Sequence, residues 1–216
     1  TYARPAPRVV MEDTRGLRLP SAAERRRLLA GLAQPPIPAA RFLLGQVLVR
    51  RSGRSLLAVR IVETEAYLAS EDPAAHAFRG RTPRTEPLWG PPGTLYVYFI
   101  YGMHHCLNVS VDLEGAPGCV LIRAAEPLPG SALPIDACRG PGRLCRALAL
   151  DTRFSGRHLF DAATGLTLRQ GDPPASVATS PRVGIRHAAD RPLRFFDPRS
   201  PAVSAARPFS PRGRSR

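Results

Sequence analysis

Two stretches of this chain each pair extended apolar runs about a tight turn, and that pattern commits it to antiparallel sheet. Residues 46–50 and 55–63 flank Arg51-Ser52-Gly53-Arg54, and residues 94–100 and 105–111 flank Tyr101-Gly102-Met103. A third run at 119–125 follows the turn Glu114-Gly115-Ala116-Pro117-Gly118 and reads as another strand. Shorter strands are predicted at 166–169, 183–185 and 193–196. Helices are few. Ser21-Ala22-Ala23-Glu24 is a capping box, serine and glutamate satisfying each other's orphan amides, and it predicts a helix over 22–33 ending before Pro35-Pro36. Residues 38–44 predict a second helix, stopped at Gly45, and 143–150 a third, entered through Gly140-Pro141-Gly142.

With 216 residues, no internal repeat and no dividing linker, residues 19–206 are expected to form one α+β domain. Residues 1–18 are expected to be a mobile basic arm, and residues 207–216, proline, serine and arginine with little to bury, a disordered tail. Within the domain, 69–93 is a long polar segment, and loops of that length usually carry function or are disordered. No run of about 18 apolar residues exists, which excludes a transmembrane helix. The basic, proline-broken start offers no signal-peptide core. An intracellular protein is therefore expected, with Cys106, Cys119, Cys138 and Cys145 reduced, since none forms a Cys-x-x-Cys pair.

Charge narrows the partners. The chain has 31 basic against 17 acidic residues, net +14, and every basic residue is arginine. Such an excess favours a polyanion, nucleic acid first and a membrane surface second. With no lysine, no side chain can form a Schiff base, which excludes lysine-dependent covalent catalysis.

Three clusters could carry chemistry. On a strand, Glu63, Glu65 and Tyr67 share one face. They read either as a solvated strand end or as a carboxylate that activates water beside a ring stacked on a planar substrate. The second hairpin concentrates Tyr96, Tyr98, Phe99, Tyr101 and Met103 near its tip, where polar turn residues are the norm. That suits a buried sheet, a dimer contact, or an aromatic hairpin pushed between stacked bases. His76, His104, His105 and Cys106 lack the spacing of a zinc site, so no metal is expected. Gly140-Pro141-Gly142 fits a phosphate at a helix start or a plain turn equally well.

Segments 42–49, 61–67 (Ile-Val-Glu-Thr-Glu-Ala-Tyr), 74–76 (Ala-Ala-His), 92–98 (Pro-Gly-Thr-Leu-Tyr-Val-Tyr), 100–103 (Ile-Tyr-Gly-Met), Leu107-Asn108, 120–124 (Val-Leu-Ile-Arg-Ala) and 144–148 (Leu-Cys-Arg-Ala-Leu) together resemble one family. In order and spacing they are similar to the alkyladenine, or 3-methyladenine, DNA glycosylases, over roughly residues 38–196. The resemblance implies a curved, mainly antiparallel sheet with flanking short helices and a protruding hairpin. It implies a base-excision repair enzyme that flips alkylated or deaminated purines from duplex DNA and hydrolyses the N-glycosidic bond without lyase activity. No cofactor and no obligatory protein partner are implied, damaged double-stranded DNA is the expected partner of a monomer, and no membrane is involved. The site would be the cytoplasm or nucleoid of a bacterium, or a eukaryotic nucleus.

By the same resemblance Glu65 is the general base, Arg123 its companion, and the Val183 backbone carbonyl a second holder of the water. Tyr67 and Tyr98 wall the flipped base, His76 meets its edge, and Asn108 crowds the exocyclic amine of guanine. Tyr101 wedges into the vacated stack, with Met103, Arg81, Thr82 and Arg84 beside the DNA backbone. The chain departs from the family at 127–142, which is short and lacks a charged helix, and at His104 and His105, which replace commonly apolar positions. Two other readings are an inactive damage-binding module of the same fold and a related domain of an RNA-modifying enzyme.

Overall fold

The computed structural model describes residues 20–52 and 55–205, so the expected arm and tail, and the turn residues Gly53 and Arg54, lie outside the described residues. In chain order the helices are α1 (Ala22–Leu32), α2 (Pro36–Leu43) and α3 (Pro141–Ala147). The strands are β1 (Val47–Ser52), β2 (Ser55–Tyr67), β3 (Leu95–Ile100), β4 (His104–Ser110), β5 (Cys119–Pro127), β6 (Leu166–Arg169), β7 (Ala178–Ser180) and β8 (Arg194–Phe196). All pairings are antiparallel, in the order β3-β4-β5-β2-β1-β6. This is the antiparallel sheet with a few short helices that the extended runs predict, curled as the resemblance implies.

The 13-residue β2 is the spine, and it outlasts its partner. Its first half pairs with β1, from Val47 opposite Arg60 to Ser52 opposite Ser55. Beyond that, Glu63, Thr64 and Glu65 pair instead with β8, which carries β7 on its outer side. On the other flank, β5 pairs with β2 through two irregularities: Ile61 faces Ala125, Glu63 faces Ala124, and Thr64 faces Ile122. Val62 and Arg123 are the residues left without an opposite number. Bulges re-aim side chains and end regular pairing, and here one sets Arg123 beside the two glutamates. Thr64 turns to the opposite face, where its hydroxyl donates to the Ala40 carbonyl of α2 at 2.9 Å.

Helices α1 and α2 close that opposite face. Leu28, Leu32, Ala39, Ala40 and Leu43 meet Leu48, Val59, Ile61, Val120 and Ile122 in one core. The Ser21 hydroxyl caps the Glu24 amide at 3.2 Å, and the Glu24 carboxylate accepts from the Ser21 backbone amide in return, as the capping box predicts. Glu24 also reaches the Arg169 side chain and the Gln170 amide, both at 2.8 Å, tying α1 to β6. Helix α2 begins two residues before the predicted start because Pro36 is tolerated at the first helical position. Helix α3 likewise starts at Pro141 and stops by Ala147. The strand predicted at 183–185 is absent: Gly184 has φ +78, and the extended segment lies earlier, at β7. The polar segment 69–93 is ordered around three short 3₁₀ turns.

Candidate active site

The fork of the sheet buries two carboxylates two residues apart, and their surroundings differ. Neither Glu63 nor Glu65 is exposed at all, so the solvated strand end considered above is not what forms. Glu65 Oε1 accepts from the Val183 amide at 2.8 Å and lies 3.4 Å from the Arg123 guanidinium, while Oε2 accepts from the Tyr67 hydroxyl at 3.0 Å. A carboxylate offers about four lone-pair sites, so three donors leave capacity for one more. Burial raises the Glu65 pKa above the ordinary carboxylate range, a rise that Arg123, the Val183 amide and Tyr67 only partly oppose and the neighbouring Glu63 reinforces. Burial and the Glu65 charge push the Tyr67 phenol well up, keeping it a donor. Burial also works against the charge of Arg123, but Glu65 and Glu63 outweigh it and raise its pKa.

All three partners of Glu65 line a cavity of about 310 Å³, together with His76, Tyr96, Tyr98, Asn108 and the tip residue Tyr101. The hairpin register explains the wall. Tyr96 faces Asn108 across the strands, and the Asn108 Nδ2 donates to the Tyr96 carbonyl at 3.1 Å. Tyr96 and Tyr98, alternate residues on one face, have ring centroids 5.4 Å apart. His76 stands edge-on to Tyr98 at 4.6 Å, its Nδ1 at 2.9 Å from the Tyr96 hydroxyl. Burial and then Arg84 lower the His76 pKa, so the imidazole is neutral at neutral pH. The Arg84 guanidinium lies 5.7 Å from the Tyr98 ring centroid.

At the tip, the Met103 amide donates to the Ile100 carbonyl at 3.3 Å, closing a tight turn over Tyr101 and Gly102. Both central residues have positive φ, +56 and +69, the geometry that matches strand twist and favours Asn-Gly. A tyrosine there is strained, and it is 72% exposed, beside Met103 and Phe99. The loop holding Arg81, Thr82 and Arg84 packs beneath. Thr82 is tied to Thr85 by its amide and hydroxyl, both at 2.9 Å. Arg81 is not free: its guanidinium donates to both carboxylate oxygens of Glu86.

Sequence reading missed four residues that hold the site in place. Arg182 forms a two-pronged ion pair with Asp72, both side chains fully buried, and stacks 4.6 Å from the Tyr67 ring centroid. Asp72 also accepts from the Leu68 and Ala74 amides. Asp72 starts the loop to His76, and Arg182 precedes Val183, so one ion pair staples two walls of the cavity. Arg194 and Ser204 bind Glu63. The Asp-Pro turn at 72–73 was a local signal; the other contacts span more than 100 residues of chain or rest on β8, and had none. The four cysteines are unpaired and buried. Among the described residues no cluster of three His, Cys, Asp or Glu could hold a metal, and no helix is long and apolar enough to cross a membrane.

The structure therefore sets a buried carboxylate under an aromatic cavity, beside an exposed aromatic tip; comparison with known proteins bears on the family. The model of the methylpurine-DNA glycosylase family matches residues 30–201. A Koribacter versatilis protein provisionally named 3-methyladenine DNA glycosylase is 46% identical over 181 residues, covering 77% of this chain and 87% of its own. The DNA-3-methyladenine glycosylases of Mus musculus and Homo sapiens are each 46% identical over 79% of this chain, which spans 59% and 65% of their lengths. By sequence, and over every element that builds the cavity, this chain belongs to the methylpurine-DNA glycosylase family.

Proposed function

We propose that this protein removes damaged purines from duplex DNA in base-excision repair, taking the flipped base into the aromatic cavity and hydrolysing its N-glycosidic bond with Glu65 as general base. The observation that carries the reading is Glu65 itself: a buried carboxylate with spare acceptor capacity, whose three partners all face the cavity. In the reaction the bond from C1′ to the base nitrogen breaks with its electron pair on the base. The water oxygen bonds to C1′, and the water proton passes to Glu65. The carboxylate stabilises oxocarbenium character at the sugar, and the Val183 carbonyl is a second acceptor for the water. Adenines alkylated at a ring nitrogen such as N3 carry positive charge and leave as neutral bases, so for these capture and water activation suffice, whereas a neutral lesion such as hypoxanthine needs a proton delivered to the leaving base.

Stacking on Tyr67 and Tyr98 accepts any purine face, and His76 serves its edge as a neutral imidazole. Asn108, held by its amide nitrogen to the Tyr96 carbonyl, crowds the exocyclic amine of guanine and so disfavours it. Tyr101 fills the gap left by the flipped nucleotide, beside Met103 and the loop holding Thr82 and Arg84. An inactive damage-binding module would not need an ionisable carboxylate held unsaturated at this depth.

The test is incubation with duplexes carrying 3-methyladenine, 1,N6-ethenoadenine or hypoxanthine, scored for abasic sites. Glu65→Gln should bind the lesion and lose about 10²–10⁴-fold in base release. Because Glu65 works deprotonated and its pKa is raised, the wild-type rate should fall as pH drops, beginning above the ordinary carboxylate range. Near-normal single-turnover cleavage by Glu65→Gln would overturn the assignment.

A further inference from the structure

We infer that Glu63 is a positioning residue for this reaction: with Arg194 and Ser204 it holds Arg123 so that only one arm of the guanidinium reaches Glu65, leaving that carboxylate a vacant acceptor. The inference rests on the glycosylase reading above and extends it to residues outside the cavity.

The two glutamates are two residues apart on β2 and equally buried, yet they are loaded differently. Glu63 Oε1 accepts from Arg123 Nε at 3.0 Å, Arg194 Nε at 2.6 Å and the Ser204 hydroxyl at 2.9 Å, and Oε2 accepts from the Ser204 amide at 2.7 Å. Four donors thus hold Glu63, three on Oε1 and one on Oε2, and Arg194 and Ser204 lie outside the cavity, whereas Glu65 has three and all of its partners line the cavity. Arginine binds carboxylates best by two parallel bonds, and Arg123 divides its fork instead, Nε to Glu63 and one terminal nitrogen towards Glu65 at 3.4 Å. The unpaired position of Arg123 in β5, between the partners of Glu63 and Thr64, sets up that division. Without Glu63, the freed fork would close on Glu65 and occupy the lone pair that the water needs. Ser204, which completes the arrangement, lies just past the segment matched by the family.

The same four charged groups, Glu63, Glu65, Arg123 and Arg194, sum to zero, which makes the role testable through pH. The groups facing Glu65 are Tyr67 and Glu63 on its own strand, Arg123 on β5, Cys106 on β4, and Arg182 in the loop before Val183. Removing the negative charge of Glu63 leaves the arginines in excess and makes Glu65 more acidic. Removing Arg194 does the reverse.

The experiment is single-turnover base release against pH for the full chain on one lesion duplex, with wild type, Glu65→Gln, Glu63→Gln, Glu63→Asp and Arg194→Gln. Glu63→Gln should bind the lesion as wild type does, lose about tenfold or more in plateau rate, and move the acid limb down by about one pH unit. Glu63→Asp should recover part of the rate, and Arg194→Gln should move the limb upward. A Glu63→Gln rate within about twofold of wild type, or a lost rate with an unmoved acid limb, would overturn the inference. Should Glu63→Gln fail to fold, Arg194→Gln decides: a limb that stays or moves down overturns it equally. A wild type that releases no base, or an active Glu65→Gln, would instead sink the glycosylase reading itself.

Discussion

The Asp72–Arg182 pair is the most heavily buried charge contact of the cavity wall, and its failure would be costly. Removing one partner of a buried ion pair leaves the other charge uncompensated, typically about 3–5 kcal/mol. Asp72→Asn should lose stability of that order in urea unfolding, and the loosened Val183 amide should slow base release as well. The pair also has a pH signature. Burial raises the Asp72 pKa, but Arg182 and the Leu68 and Ala74 amides outweigh it, so the folded value lies below the ordinary one. The stabilisation is thus complete above the unfolded aspartate pKa of about 3.9, and it is lost as pH falls through the lowered folded value. Wild type and Asp72→Asn should therefore converge in acid. Stability curves that stay parallel from neutral pH to acid would show that this pair is not the source.

Among the elements, the β3–β4 hairpin trades stability for its projecting ring. A bulky residue at φ +56 costs of order 1–3 kcal/mol, and the side chain gains little packing in return. Tyr101→Asn should therefore leave the fold as stable or more stable, while weakening lesion binding tenfold or more, since aromatic–base stacking is worth about 1–3 kcal/mol. Affinity for a duplex already carrying an abasic site should fall much less, because little stacking opposes extrusion there. Equal losses on lesion, abasic and intact duplexes would make Tyr101 a general contact. The neighbouring loop carries an opposite device. Arg81 is engaged by Glu86, so Arg81→Ala should matter less than its position at the rim suggests. Glu86→Gln should release it, tightening binding to damaged and intact duplex alike and steepening the salt dependence by about one phosphate contact. Titrations at several salt concentrations separate these outcomes.

For the molecule as a whole, the basic side-chain charge comes from a single residue type, arginine. A chain with net +14 and no lysine is attracted to a polyanion such as duplex DNA but cannot trap an abasic aldehyde through a side chain. After acetylation of the terminal amine, incubation with lesion duplex and borohydride should yield no covalent adduct and no strand scission. An adduct that survives acetylation would show the reaction to be more than hydrolysis. The sheet itself ties the charge to the chemistry. Its fork at Glu63 and Glu65 is buried, while the hairpin edge carries the exposed Tyr101 ring outward, so one curled sheet presents both the buried carboxylates and the projecting ring.

The hairpins, the single α+β domain and the aromatic face of Tyr96 and Tyr98 were legible in the sequence, because alternation and turn residues act over a few positions and need no distant partner. The same is true of the bar on Schiff-base chemistry, which follows from composition alone. The proposed role of Glu65 as the base comes from resemblance, since two glutamates at one spacing on one face are equivalent to any local rule. Their difference lies in what surrounds them. The bulge opposite Glu63, the turn of Arg123 between two carboxylates, and the arrival of Arg194 and Ser204 from 131 and 141 residues away are decided only when the sheet closes. Acceptor saturation of a carboxylate depends on donors brought by distant segments of chain, and no periodicity along one strand records them. Tertiary structure thus surrounded one glutamate with donors from outside the cavity and gave its neighbour only partners that line it.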